Sequence, residues 1–230
     1  MVAITLLIAS LAICLADDEV TPKTALEVFN DFVGEWKGSG APDKPRADPK
    51  DAWSETGEWA WRFKGNDAAL ILTIDGGKLN KGGELRYLPE AKRFQFIEQA
   101  ADGTKRTYEG ERKNGYLTLD HVDKKSGETR RLTMNSAGDG LRFIYKSAHK
   151  PAGRTLFVRD FQVAFTKKGE TFAASEKKPE CVVTGGLGTS TVVHKGTTYY
   201  LCCSGCRDAF NENPEKFIKE AEERKSVRKK

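Results

Sequence analysis

The chain has 230 residues, 31% of them charged and 38% hydrophobic, and its 38 Lys and Arg against 33 Asp and Glu give a net charge of +5. This composition suits a soluble globular protein, and the length is enough for one large or two modest domains. The charge excess is mild and no aromatics interleave the basic residues of the C-terminus, so nucleic-acid binding is not supported.

Residues 1–16 are apolar almost throughout, contain no Lys, Arg, Asp or Glu, and stop at Asp17-Asp18. The run is too short for a comfortable membrane span and fits a signal-peptide core, with Cys14 and Ala16 at the small-residue positions before the cut. The competing readings are an uncleaved anchor and a buried helix. Export places the mature protein in the periplasm, cell envelope or extracellular space, with no stable membrane insertion after processing. Cleavage removes Cys14 and leaves four cysteines.

In residues 21–33, Leu26, Phe29, Phe32 and Val33 recur at helical spacing and predict a short amphipathic helix. It runs into Gly34-Glu35-Trp36-Lys37-Gly38-Ser39-Gly40. A helix followed by G-x-W-x-G-x-G resembles the opening of lipocalin-like barrels, nitrobindin-type proteins among them. The glycines let a strand bend at a barrel corner, and Trp36 can plug the closed end. Residues 41–52 are Pro-rich and polar and are expected as a loop.

From Trp53 to Lys168 the chain alternates in period two between turn signals. Trp59, Trp61 and Phe63 share one face; Leu70, Leu72 and Ile74 follow, then Leu85 and Tyr87, then Phe94 and Phe96. Tyr108, the pair Leu117 and Leu119, the pair Leu132 and Met134, and the trio Leu141, Phe143 and Tyr145 continue the pattern. A last strand is expected over 154–165, with Phe157, Phe161, Val163 and Phe165 on one parity. Short strands at this spacing predict a mainly β fold, an antiparallel lipocalin-like β-barrel of about ten strands that leaves no open edge. Residues 21–168 are assigned to it.

Inward aromatics, with Trp36, Trp59, Trp61, Phe94, Phe96 and Phe143 as candidates, either fill the core or line a pocket for a small apolar ligand. Nitrobindin-type proteins hold haem through a histidine late in the barrel; the expected final strand has none, so haem is not expected. His121 shares parity with Leu117 and Leu119 and reads as structural or exposed. The scattered Asp and Glu read as solvated strand faces. There is no G-x-S-x-G, no H-E-x-x-H and no phosphate-binding glycine loop, so an enzyme is not expected.

Residues 169–180 are polar and read as a linker. The next stretch carries four of the five cysteines: Cys181, Cys202, Cys203 and Cys206. Thr191–His194 and Thr197–Leu201 are β-prone around a Lys195-Gly196 turn. Ser204 is a plausible N-cap for a helix carrying Cys206, Ala209 and Phe210, and Asn213-Pro214-Glu215 starts a second helix. Cys202 then closes a strand and Cys206 sits in the first turn of a helix, where the dipole is expected to lower its pKa, while the hairpin returns Cys181. Phe210, Phe217 and Ile218 are expected to pack on Tyr199 or Tyr200 and Leu201. So small a unit needs a metal or disulfides. Two disulfides would have to use the adjacent Cys202 and Cys203, which alternate strand geometry sends to opposite faces.

This stretch resembles the TRASH/YHS family of small metal-binding domains. The resemblance rests on Cys181, Lys195-Gly196 before Tyr199-Tyr200, Cys202, Gly205-Cys206, Phe210 and Asn213 to Phe217. It implies a small α+β module, a hairpin plus two helices over 181–222, with Cys181, Cys202 and Cys206 as metal ligands. Many members begin C-x-x-C-G, and here Thr184 replaces the second cysteine. The fourth position is open to Cys203, His194, solvent or an exogenous ligand. Thiolates suit Zn(II), Cu(I) or Cd(II). Binding, delivery or sensing of such an ion is the first functional reading; the second is a lipocalin-like carrier whose cysteine module is a disulfide staple. Residues 223–230 read as a basic, solvated tail.

Overall fold

A computed structural model describes residues 20–169 and 179–228. The apolar N-terminal run with Cys14, most of the expected linker and the last two residues lie outside the described residues. Among the described residues no helix is long and apolar enough to cross a membrane.

Ten antiparallel strands close a barrel: β1 (Gly34–Pro42), β2 (Trp53–Lys64), β3 (Asp67–Asp75), β4 (Asn80–Leu88), β5 (Arg93–Ala100), β6 (Lys105–Lys113), β7 (Tyr116–Val122), β8 (Thr129–Ala137), β9 (Arg142–Lys150) and β10 (Val158–Lys167). Each pairs with its sequence neighbours, and β1 pairs with both β2 and β10 to complete the ring. The period-two pattern is the cause. One parity of each strand turns inward, as the burial of Trp59, Trp61, Leu70, Leu72, Phe143 and Tyr145 shows. Closure then gives every barrel strand a neighbour on both sides over most of its length.

One end is stoppered by the N-terminal segment. It is an α-helix, α1 (Pro22–Leu26), capped by the Thr21 hydroxyl, that tightens into a 3-10 turn over Glu27–Phe32. Phe32 drops its ring among the barrel aromatics, 4.7 Å from Phe143 and 5.7 Å from Trp59. Trp36 is buried beside it, and its Nε1 donates to the Phe32 carbonyl at 2.7 Å. Trp36, Trp59, Trp61, Phe96 and Phe143 are all buried, and Phe143 touches Trp36, Trp59 and Phe165. Phe94 is half-buried and meets Phe29 edge-on.

Four sequence expectations change. The stretch expected as a loop from residue 41 still pairs with β10 through Ala41 and Pro42, and a 3-10 turn occupies Pro49–Asp51. The last strand starts at Val158 rather than 154 and is bulged between Arg159 and Phe161. The bulge resets the parity, and Phe157, just before the strand, has the Arg131 guanidinium 4.1 Å from its ring centre. His121, expected as structural or exposed, keeps that place: its ring is tilted against Tyr108 and its Nδ1 is 2.9 Å from the Thr107 carbonyl.

The fourth change is that not every acid faces solvent. Glu98 is buried on β5 and accepts from the hydroxyls of Tyr108 and Tyr145, each at 3.0 Å, and from Arg106 at 3.5 Å. Glu55 is buried on β2, accepts from Trp53 Nε1 at 2.6 Å, and has its carboxyl pKa raised by burial. Both tyrosine hydroxyls are pushed above the usual phenol range by burial first and by the Glu98 charge second. A carboxylate between two inward hydroxyls satisfies all three groups away from water.

That arrangement has a measurable cost of removal. Glu98→Ala strands the two hydroxyls in the interior, and an unsatisfied buried polar group costs about 1–3 kcal/mol. The midpoint of denaturant unfolding should fall accordingly. Glu111→Ala, at an exposed position of β6, should leave the midpoint nearly unchanged.

Candidate metal centre

After the barrel comes a hairpin, β11 (Ser190–His194) and β12 (Thr197–Leu201), turning at Lys195-Gly196. Two helices follow, α2 (Ser204–Glu212) and α3 (Pro214–Val227). The hairpin pairs with itself and adds no strand to the barrel. Asn213 caps α3, accepting from the Lys216 amide, with Pro214 in the first turn as expected. At α2 the cap position falls one residue earlier than expected. Cys203, not Ser204, is the N-cap residue, and it makes no side-chain capping bond.

The turn carrying Cys181 is closed by its own backbone. The Cys181 amide donates to the Gly186 carbonyl at 2.7 Å and the Gly185 amide donates back to Cys181 at 2.8 Å. Gly185 takes a φ of +73°, which explains a glycine after Thr184. The Val182 amide donates to Tyr200 and the Thr189 amide to Leu201, each at 2.9 Å, so this turn lies beside the end of β12, where Cys202 begins its exit. Arg224 of α3 donates to the Val182 carbonyl at 2.7 Å, and Arg228 pairs with Glu180 at 2.5 Å. Two residues expected in a solvated tail therefore hold the cysteine turn in place.

The sulfurs of Cys181, Cys202 and Cys206 converge, all within 4.8 Å of one another and all buried. Cys202 and Cys206 are 3.4 Å apart, and all four described cysteines are free thiols. An ion about 2.3 Å from each thiolate sets sulfur separations of about 3.8 Å in tetrahedral and about 4.0 Å in trigonal geometry. The trio fits such an ion with small adjustments.

Of the two residues proposed for a fourth position, neither belongs to this group. Cys203 is half-buried, its sulfur 3.9 Å from that of Cys202, and it accepts from the Trp61 amide at 3.3 Å. It is therefore on the same side as Cys202, not the opposite one, because the strand ends at Leu201 and alternation stops there. His194 is engaged elsewhere, with Nε2 3.1 Å from Glu215 and its ring edge-on to Phe210. Thr184 turns its hydroxyl onto the sulfurs, 3.6 Å from Cys202, and is buried. It occupies the place of the second cysteine in C-x-x-C-G with a weaker donor atom.

The thiols share protons. Cys181 is held far below the usual thiol range by the Cys202 thiol first and the Cys206 thiol second. Cys203 is held low by the same two groups in the same order. Cys202 is pushed up, chiefly by its bonds to Cys181 and then Cys203, and Cys206 is pushed up by burial first. The helix start was expected to lower the Cys206 pKa; burial and the neighbouring thiols push it up instead. A bound cation reverses that sign, because a coordinating thiol is deprotonated outright.

The site is fastened to the barrel. β1 begins opposite Trp59, so the end of β2 beyond that residue has a strand on one side alone. The start of α2 covers the bare side: Cys203 takes the Trp61 amide, and a Cβ on Gly205 would lie 1.6 Å from the Trp61 carbonyl oxygen. Asn30 adds a second tie, donating to the Thr184 carbonyl at 2.8 Å and accepting from Trp61 Nε1 at 3.3 Å. Within the module, Tyr199 packs on Phe210 at 5.3 Å, and Leu201, Phe210 and Phe217 are buried in one cluster with the barrel core.

No protein-family model matches this chain, and no curated protein does. Among solved structures it is similar to the crystal structure of Rv2717c from M. tuberculosis, at 13% identity over 63% of this chain and 97% of that one, with a TM-score of 0.38.

Gly205→Ala tests the fastening. The added methyl meets a backbone carbonyl that cannot step aside, and such overpacking costs about 1–3 kcal/mol. Hydrogen exchange should quicken at Trp61 and across residues 181–228 while β5 to β8 keep their protection.

Proposed function

We propose that this chain is an exported binding protein for one soft or borderline metal ion, Zn(II) or Cu(I), held by Cys181, Cys202 and Cys206. The observation that carries the reading is the convergence of three buried, free sulfurs within 4.8 Å. Thiolates select such ions over hard, oxygen-seeking ones. The family resemblance of the cysteine stretch to TRASH/YHS modules supports the same reading. The barrel serves as scaffold, and the role is binding, delivery or sensing rather than catalysis. The module's apolar core is small, so metal binding supplies a large share of its folding energy.

Elemental analysis of the purified, reduced protein should give one metal per chain. Cys206→Ser should cut Zn(II) affinity by about 10-fold or more, and it should loosen residues 181–228 while the barrel stays folded. Metal content unchanged by this substitution would sink the reading.

A second reading has its own observation. Cys202 and Cys206 stand 3.4 Å apart, close enough for an oxidant to join them, which would make the module a staple beneath a lipocalin-like carrier of a small apolar ligand. A free-thiol count on protein recovered from an oxidising compartment separates the two: four free or metal-protected thiols favour the metal site.

Export has a separate test. Removal of the apolar run would leave a mature chain beginning near Asp17. Intact-mass measurement of protein from a secretion host should show residues 1–16 missing; a full-length chain in the cytoplasmic fraction would count against export.

A further inference from the structure

The four thiols differ in how they meet solvent. Cys181 and Cys206 are 1% and 0% exposed. Cys202 is nearly as covered at 6%, yet it lines, with Cys203, a 550 Å³ cleft between the barrel and the module. The other walls of that cleft include Val33, Glu58, Ser190 and Arg207. Among the described residues the trio therefore has a sealed side, at Cys181 and Cys206, and an approach at Cys202. On that approach stands a fourth thiol that is outside the trio, half-buried, and 3.9 Å from the sulfur of Cys202.

We propose that Cys203 is the exchange thiol of this site: the metal enters and leaves through the cleft by way of Cys203, and Cys181 locks it in. This rests on the metal reading above. Loading is a sequence of ligand substitutions with no change in oxidation state. A metal–sulfur bond to Cys203 forms as one bond to the incoming carrier ligand breaks, and any proton on the entering sulfur passes to the displaced ligand or to water. Cys202, whose sulfur is adjacent, displaces a second carrier ligand next, and its proton passes to that ligand or to water. Cys206 displaces the last carrier ligand and Cys181 then displaces Cys203, any proton on the entering sulfur passing each time to the displaced group or to water. Release runs in reverse. A buried site without such a relay must open its own packing before any ligand can be exchanged. With one, each step exchanges a single bond between neighbouring sulfurs. Cys203 also has a fixed place from which to act, because its sulfur is held by the Trp61 amide at 3.3 Å.

The test uses the full reduced chain under anaerobic conditions, loaded with Zn(II) and mixed with excess chromogenic chelator in a stopped-flow instrument. Cys203→Ser keeps an acceptor for the Trp61 amide, so docking is preserved. Its equilibrium affinity should stay within about threefold of the parent, while loading and release both slow by about tenfold or more. Unchanged rates overturn the proposal. An affinity loss as large as that of Cys206→Ser also overturns it, because Cys203 is then a permanent ligand. If Cys206→Ser and the parent bind Zn(II) alike, the metal reading itself has failed, which is a different result. Maleimide labelling of the loaded protein gives an independent check. Among Cys181, Cys202, Cys203 and Cys206, modification at Cys203 alone, with metal retained, supports the exchange role; protection of all four refutes it.

Discussion

The contact on which the rest of this molecule depends is the one between the start of α2 and the uncovered end of β2. A closed barrel pairs its edges, but strands of unequal length leave short stretches of backbone without a neighbour. Here the unmatched stretch includes Trp61. Its amide is taken by the Cys203 sulfur, and its carbonyl lies so near Gly205 that no side chain fits between them. The same turn of chain places Cys202 before the contact and Cys206 after it. One docking event thus satisfies a backbone group of the barrel and sets the spacing of the thiols.

The module could not do this alone. Its helices and hairpin bury few large side chains, and Phe210, Phe217 and Leu201 belong to a cluster continuous with the barrel core. Asn30, from the turn that stoppers the barrel, reaches the carbonyl of Thr184, beside the sulfurs. Lys23 of α1 pairs with Glu220 of α3 at 2.5 Å. The N-terminal segment thus works in two directions, sending Phe32 into the barrel and polar groups out to the cysteine turn. Rigidity at a ligand set is what keeps ligand spacing matched to an ion, and here it comes from three separate parts of the chain.

The barrel was legible because its signal is periodic. Trp59, Trp61, Leu70, Leu72, Phe143 and Tyr145 declare an inward face by alternation alone, and Asn114-Gly115 and Asp139-Gly140 mark turns. The hairpin and the Asn213-Pro214 helix start were legible for the same local reason. What failed were inferences that assume a uniform environment. Glu98 and Glu55 share parity with the inward aromatics of their strands, Phe96 and Trp59, yet read as solvated acids because the hydroxyls that satisfy Glu98, on Tyr108 and Tyr145, come from other strands. Phe157 was misplaced because a bulge leaves no mark in an alternating pattern. Arg224 and Arg228 looked like a free basic end, yet their partners Val182 and Glu180 lie more than forty residues earlier in the sequence.

By itself, then, the sequence determined the strand count, the hairpin, the two helix positions and the identity of three converging cysteines, since each rests on local pattern or spacing. Only the tertiary structure decided which thiols are sealed and which line a cleft. It also decided that Thr184 turns onto the sulfurs, and that burial raises the Cys206 pKa. These are properties of what surrounds a group, and the surroundings come from residues brought together across the whole chain. Cys203 shows the distinction most plainly. Alternation would send it away from Cys202, but alternation holds only while a strand continues, and this strand stops at Leu201, where the chain turns in to meet the barrel.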